Sequence, residues 1–341
     1  MDPGGEVNTV DARIASGAAA ARPPVDSRPF HLSRTQEGLW FLQQLYPDVP
    51  LVVAQYIEMR GKVDYSLLNK VSIDASWELQ SPGIRLIEIG GQPFQLADAT
   101  IEDGLSYIDF RDRANPVHDA QQWMVEQYCR PLDVLSDRLI AATLLQLDTE
   151  HFYLFSWSHH LVLDGHGAMA LMNRAAELYT HAMHGTDAPA FRGLPVQDLY
   201  LLDATYRDSS RFATDRDHWA RRLAKVQEPV SLARGTAHAS MPARLVAGAL
   251  SSEVVAGIAK VTERVKSYDV PVIAAAFAAF LSQMTGRGDV VLSLPISART
   301  TASSRRSGGT VSNIVPIRVR IDPTLRFEQV VRNVQVELTG A

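Results

Sequence analysis

The residues best suited to chemistry lie in FYLFSWSHHLVLDGHGAMALM, residues 152–172. Two adjacent histidines, His159 and His160, are followed after three residues by Asp164 and Gly165. The chain has 10 histidines and 21 glycines in 341 residues. At that composition the pattern arises by chance roughly one time in a thousand. A neutral imidazole, with a pKa near 6.5, can take or steer a proton at neutral pH. An aspartate followed by glycine suits a buried ion pair that fixes a loop. A strand alternates sides residue by residue, so Tyr153, Phe155, Trp157 and His159 face one way. Leu154, Ser156, Ser158 and His160 face the other. The two histidines therefore have different surroundings and different work: one packed, one looking into a cleft.

Other chemistries fit less well. A catalytic metal needs three convergent ligands. His159, His160, Asp164 and His166 contain enough donors, but adjacent histidines on opposite strand faces diverge, and no metal is expected. Gly-x-Ser-x-Gly is absent, which disfavours a serine hydrolase. Phosphate loops and dinucleotide fingerprints are absent too. The single cysteine, Cys129, excludes an intramolecular disulfide framework, and Gln-Tyr-Cys-Arg-Pro carries no nucleophile signature. The plainest alternative is a packed histidine beside a turn aspartate, in a scaffold without catalysis.

The motif needs elements to hold it. Residues 139–147 and 151–158 read as paired strands, joined through Asp148-Thr149-Glu150. A helix follows over 167–184, with Ala168, Leu171, Met172, Ala175, Leu178 and Tyr179 on one face. The histidines thus sit between a strand end and a helix N-terminus, where backbone N–H groups are free. Upstream, Ser33 caps a helix with Leu39, Leu42 and Leu45 at helical spacing. A strand over 52–60, a helix over 64–77, a hairpin across Gly90-Gly91 and a helix over 120–128 come next. A helical stretch covers 197–225, and 226–242 reads as an irregular crossover. Downstream come a strand over 243–250, helices over 253–265 and 272–284, and a strand over 290–295. A basic loop over 299–309, a strand over 313–321 and a helix over 327–338 complete the chain. The fold class is α/β or α+β, with two lobes.

The net charge of −5 gives no sign of nucleic-acid binding. The Ala-, Gly- and Pro-rich start, 1–27, lacks a basic region followed by an apolar core and reads as a disordered leader. The longest apolar run, 272–281, is too short for a bilayer, which needs about 20 residues. A cytoplasmic protein that contacts no membrane is expected.

HHLVLDG resembles the HHxxxDG signature of condensation domains of nonribosomal peptide synthetases, in the chloramphenicol-acetyltransferase-like superfamily. LSRTQEGLWFLQQL is similar to the first block of that family, with Ser33, Gln36 and Trp40 in place. PVIAAAFAAFLSQMTGRGDVVLSLPISAR resembles its second-lobe segment, ending in Ser297-x-Arg299. VSNIVPIRV resembles the block around an asparagine, here Asn313, and Asp217 and Trp219 also fit. The resemblance runs from about residue 29 to the end. The second block departs from the family: where an Arg-His-Glu-x-Leu-Arg string is usual, this chain reads SWELQSPGIRL.

The resemblance implies a two-lobed chloramphenicol-acetyltransferase-like fold, each lobe a mixed sheet with helices. Residues 28–225 would form the first lobe and 226–341 a partial second lobe, because the family pattern continues beyond the Asn313 block. That implies a fragment of a synthetase or a degenerate copy. It also implies an active-site histidine at His160, a structural role for His159, and an Asp164–Arg299 ion pair that shapes the loop. Gly165 would permit a tight turn, and Asn313 and Ser312 would meet pantetheine or substrate. The chain itself would bind no cofactor. Phosphopantetheine would come with upstream and downstream peptidyl carrier proteins, beside a downstream adenylation domain. The reaction implied is amide formation between an acyl or peptidyl thioester and an aminoacyl amine. Two alternatives stand beside it: a superfamily acyltransferase making an ester from a coenzyme A or carrier thioester, and an inactive carrier-docking remnant. Epimerisation and heterocyclisation domains are disfavoured, the first by a missing glutamate block and the second because aspartates would replace the histidines.

Overall fold

The structure, a computed structural model, describes residues 28–98, 104–224, 226, 230–233 and 246–340. The expected leader over 1–27 lies outside the described residues, as does most of the expected crossover at 226–242.

The first lobe is organised by the strands that lead to the histidines. β1 (Phe30–His31), β2 (Val52–Arg60), β3 (Ile84–Ile89), β4 (Gln92–Ala97), β5 (Ser106–Asp109), β6 (Ile140–Asp148) and β7 (His151–His159) make two sheets. The larger has the order β2-β7-β6-β5, and the smaller β1-β4-β3. β7 is central and antiparallel to both neighbours; β5 runs parallel to β6. Between them lie α1 (Arg34–Leu45), α2 (Tyr65–Leu79), α3 (Pro116–Cys129), and then α4 (Gly165–Met183) directly after the histidine turn.

The alternation along β7 sorts its side chains into two layers. Tyr153, Phe155 and Trp157 pack with Ala120 and Met124 of α3. Phe152 and Leu154 pack with Leu68 and Val71 of α2, joined by Met172, Leu178 and Tyr179 of α4. Covered on both faces, the strand carries an aromatic or aliphatic side chain at five of its nine positions. The small sheet sits under the turn: Leu32, Ile84 and Leu86 pack with Leu161, Val162 and Tyr200. This burial anchors the turn from below, so its conformation is set by packing on both flanks.

α5 (Val196–Arg207) and α6 (Ser210–Leu223) lead away from this lobe. The second lobe contains α7 (Ser252–Val265), α8 (Asp269–Thr285), β8 (Asp289–Ile296), β9 (Asn313–Arg320) and α9 (Phe327–Thr339). β8 and β9 pair antiparallel. Ala275, Val290, Ile317, Val331 and Val334 form its core. Arg222 of α6 is paired with Glu337 of α9, and the Arg318 guanidinium donates to the Arg222 carbonyl. No single described helix is long and apolar enough to cross a membrane.

Several elements differ from the sequence reading. The helical stretch over 197–225 is two helices, broken at Asp208-Ser209. Ser209 Oγ accepts the Phe212 N–H and donates to the Tyr206 carbonyl, so a new cap starts α6. The strand expected over 243–250 is not formed at 246–250, where Val246 and Leu250 are exposed. Alternation makes a strand only when a neighbour offers a ladder, and none of the described residues does. Residues 243–245 lie outside the described residues. α3 starts at Pro116 rather than 120, because the Asn115 side chain accepts the His118 N–H. The loop over 299–309 leaves the second lobe and lies on the first, with Ser304 and Ser307 buried, as is Thr310 just after it.

Candidate active site

β7 delivers His159 and His160 to the same turn and treats them differently. His159 is wholly buried. Its Nε2 lies 2.9 Å from Gln43 Oε1, and its Nδ1 accepts the Leu161 N–H at 3.1 Å. The Gln43 amide nitrogen faces three carbonyls, those of Tyr46, Pro47 and Val49. That fixes Gln43 Oε1 as the acceptor and His159 Nε2–H as the donor. Both ring nitrogens are therefore occupied, and the neutral tautomer is set. Burial, with a smaller push from His160, lowers its pKa to about 4.

His160 is held by its backbone instead. Its N–H donates to the Leu51 carbonyl at 2.8 Å, and its carbonyl accepts from Thr310 Oγ1 at 2.5 Å. The ring is half-buried, and none of the described residues hydrogen-bonds it. Burial pushes its pKa down, and the Asp164 charge pulls it part of the way back. The ring is neutral near pH 7 and has a lone pair to offer.

Asp164 caps α4 and gathers the loop. Its Oδ1 accepts the Gly167 N–H at 2.7 Å. Its Oδ2 accepts from Arg299 at 2.7 Å, Val311 N–H at 3.0 Å, and the Ser312 N–H and hydroxyl, both at 2.8 Å. Burial raises the carboxyl pKa, but Arg299 and the backbone donors outweigh it and hold the group below the ordinary aspartate range. Arg299 also donates to the Gly308 and Gly309 carbonyls at 3.2 and 3.0 Å. Both partners of this ion pair are buried. Such a pair sets geometry; removing one side strands the other charge.

Other candidate residues fall in various places. Ser312 lies against Asp164 and donates its hydroxyl proton there. Asn313 is exposed at the start of β9, and its Oδ1 accepts the Ile314 N–H at 2.8 Å. Gly165 does not make the tight turn expected of it. It is the exposed first residue of α4, without a left-handed φ, and a Cβ there would meet nothing within 4 Å. Gly167 carries the steric demand: a Cβ would stand 2.7 Å from the Gly309 carbonyl oxygen. Gly309 itself has φ +77°, and its added Cβ would meet Tyr200 Oη at 2.9 Å. His166 Nε2 faces the Arg305 carbonyl at 2.9 Å, away from any shared ligand set.

Sequence reasoning missed the supports. Gln43 holds His159, Thr310 holds the His160 carbonyl, and Tyr200 Oη accepts the Thr310 N–H at 3.1 Å. Gln36 Nε2 donates to the Leu161 carbonyl at 2.7 Å and pairs with Gln95. One signal existed: Gln36 and Gln43 are seven residues apart, on one face of α1. Thr310 and Tyr200 left no such trace.

Behind the turn lies a cavity of about 100 Å³ between the sheet and α2 and α4. Ser158, Leu163 and Ala168 line its wall nearest the histidines.

Comparisons with known proteins agree with this geometry. The family model for a condensation domain matches residues 27–341. A dimodular nonribosomal peptide synthase of Bacillus subtilis (strain 168) is 27% identical over 317 residues, 93% of this chain and 13% of its own length. An isonitrile lipopeptide synthase of Streptomyces coeruleorubidus is 30% identical over 322 residues, 92% of this chain and 21% of its own. The starter condensation domain of rhizomide synthetase, a point mutant in complex with C8-CoA, superposes with a TM-score of 0.83 at 26% identity. That match covers 91% of this chain and 71% of the other. The first condensation domain of the calcium-dependent antibiotic synthetase, with a substrate analogue, gives a TM-score of 0.81 at 27% identity, over 92% and 75%. The chain thus spans well under a quarter of either synthase.

Proposed function

This chain belongs to the condensation-domain family, and on that premise we propose that it joins a carrier-bound acyl or peptidyl thioester to a carrier-bound aminoacyl amine. One observation carries the reading: His160 is fixed through its backbone while its neutral ring is left free of described partners. The amine nitrogen attacks the thioester carbonyl carbon, and a tetrahedral intermediate forms. The His160 ring accepts or orients the amine proton. The carbon–sulfur bond then breaks, the amide carbonyl re-forms, and the thiolate leaves with the proton. Much of the acceleration comes from holding two tethered reactants in near-attack geometry.

Asp164, Arg299, Ser312, Thr310 and Gln43 position the ring and do not meet the reacting atoms. Gly165 has a free face at the start of α4, and Asn313, exposed directly after Ser312 in the chain, is a contact for the pantetheine arm. The chain binds no cofactor of its own; phosphopantetheine is brought by the carriers, with an adenylation domain supplying the acceptor. The relatives that carry C8-CoA or are named for a lipopeptide support an acyl donor.

The test is His160→Ala with both carriers loaded. Amide product is expected to fall by at least a hundredfold, with loading unchanged and circular dichroism unaltered. Undiminished amide refutes the assignment. An ester product with wild-type protein points to the acyltransferase alternative.

A further inference from the structure

None of the described residues bonds the His160 ring, so its place is set by its main chain. Two bonds fix that: the N–H donates to the Leu51 carbonyl at 2.8 Å, and the carbonyl accepts from Thr310 Oγ1 at 2.5 Å. The first comes from the residue just before β2 and belongs to the sheet. The second comes from the loop that crosses over from the second lobe, 150 positions away. Thr310 is 1% exposed and must itself be held. Its N–H donates to Tyr200 Oη at 3.1 Å.

Tyr200 is placed to do this. It lies in α5 and is 5% exposed. Its ring stands 6.1 Å from that of Phe30 and packs with Leu161 and Val162 of the histidine turn. Burial pushes the phenol pKa up, so the hydroxyl stays neutral. The same hydroxyl shapes the residue before Thr310. Gly309 has φ +77°, and a Cβ there would stand 2.9 Å from Tyr200 Oη. Glycine takes such a left-handed bend at no steric cost. The bend turns Thr310 so that its N–H meets Tyr200 and its hydroxyl meets His160. One phenol thus touches both the loop from the second lobe and the turn that carries the reacting ring.

We propose that Tyr200 is a positioning residue of the reaction, placing His160 through Thr310. This rests on the reading of His160 as the reacting ring. Tyr200 does not meet the reacting atoms. Its oxygen holds the Thr310 N–H, and that holds the Thr310 hydroxyl on the His160 carbonyl. Without the oxygen a buried N–H has no acceptor, and buried polar groups are ordinarily hydrogen-bonded. The loop then turns to find another partner, the bond to the His160 carbonyl is lost, and the residue is held at Leu51 alone. A displacement of about 1 Å costs on the order of a hundredfold in rate when reactants are held in near-attack geometry.

The test is Tyr200→Phe, which removes one oxygen and keeps the ring. With both carriers loaded, kcat is expected to fall about ten- to a hundredfold, with KM for each loaded carrier unchanged. Thr310→Val removes the second bond and should cost as much. Thr310→Ser keeps a hydroxyl and should recover most of the lost rate. Tyr200→Phe combined with Thr310→Val should be no slower than Thr310→Val alone, because the two residues act in series. Losses that multiply overturn the route through Thr310, and an unchanged kcat in Tyr200→Phe overturns the role. The carbonyl carbon of His160 gives a readout free of the reaction. Histidine labelled with carbon-13 at the carbonyl and leucine labelled with nitrogen-15 give NMR signals for His31-Leu32 and His160-Leu161. The second is identified by its loss in His160→Gln. It should move upfield in Tyr200→Phe as it does in Thr310→Val, and a signal that stays in place overturns the proposal. If Tyr200→Phe fails to fold, 3-fluorotyrosine at residue 200, a weaker acceptor, is read by the same signal. Undiminished amide in His160→Ala, with a carbonyl signal that still moves in Tyr200→Phe, removes the proposed reaction and not the positioning.

Discussion

On either side of the β7–α4 turn the protein handles buried polarity in opposite ways. Asp164 is surrounded by five donors from three stretches of chain: Gly167, Arg299, and the Val311–Ser312 pair. A few residues away, Ser158 Oγ and Gln55 Nε2 have none among the described residues. His159 and His160 repeat the contrast at closer range, one ring bonded at both nitrogens and the other at neither by any described residue. Saturated groups make a frame, because moving any one of them costs several bonds. Unsaturated groups make a working space, because their bonds are left for something that comes and goes.

The frame can be broken most severely at its charge. Asp164→Ala leaves Arg299 buried and unpaired, and a loss of about 3–5 kcal/mol is expected. Urea denaturation should show the midpoint falling with the slope unchanged, and Asp164→Asn should recover only part of it. A change below about 1 kcal/mol would mean that the pair is not buried in solution. The same contrast has a pH signature. His159 is held at about 4 when folded, against 6.5 unfolded. Between those values the unfolded chain binds the extra proton. Stability is therefore full above pH 6.5 and falls by about 3 kcal/mol as the pH drops toward 4. Denaturation midpoints taken across that window test it, and His159→Gln should flatten the dependence. A smaller effect separates the two glycines. Gly167→Ala pushes a methyl into the Gly309 carbonyl and should cost about 1–3 kcal/mol. Gly165→Ala meets nothing and should stay within about 0.5 kcal/mol. Thermal melts of the two variants side by side sharpen the assignment, and equal losses would contradict it.

The sequence carried these two kinds of group unequally. The histidines and Asp164 were legible because their types and spacing form a pattern, and because the β7 alternation separates the rings; Arg299 was reached only through the family resemblance of its Ser297-x-Arg299 segment. The paired strands and α4 were legible because each is long and periodic. β1 and β5 were not: at two and four residues they are too short to show a period. The strand expected over 243–250 shows the reverse error, periodicity without a neighbour. Gln43, Thr310 and Tyr200 were invisible for a different reason. Each is an ordinary polar residue whose partner lies more than a hundred positions away. Ser158 could be placed on the right face by alternation, but nothing in sequence says that its hydroxyl goes unbonded.

The crossing of residues 299–312 onto the first lobe also has a consequence for how the protein is made. The donors that complete Asp164 from outside its own helix lie 135 to 148 positions later in the chain. At 5–20 residues per second, translation delivers them on the order of ten seconds after the aspartate. During that interval the first lobe can lay down its sheets while the histidine turn still lacks its cation. The reactive loop is thus among the last parts to set, and it sets only when a distant stretch of the same polypeptide arrives to close it.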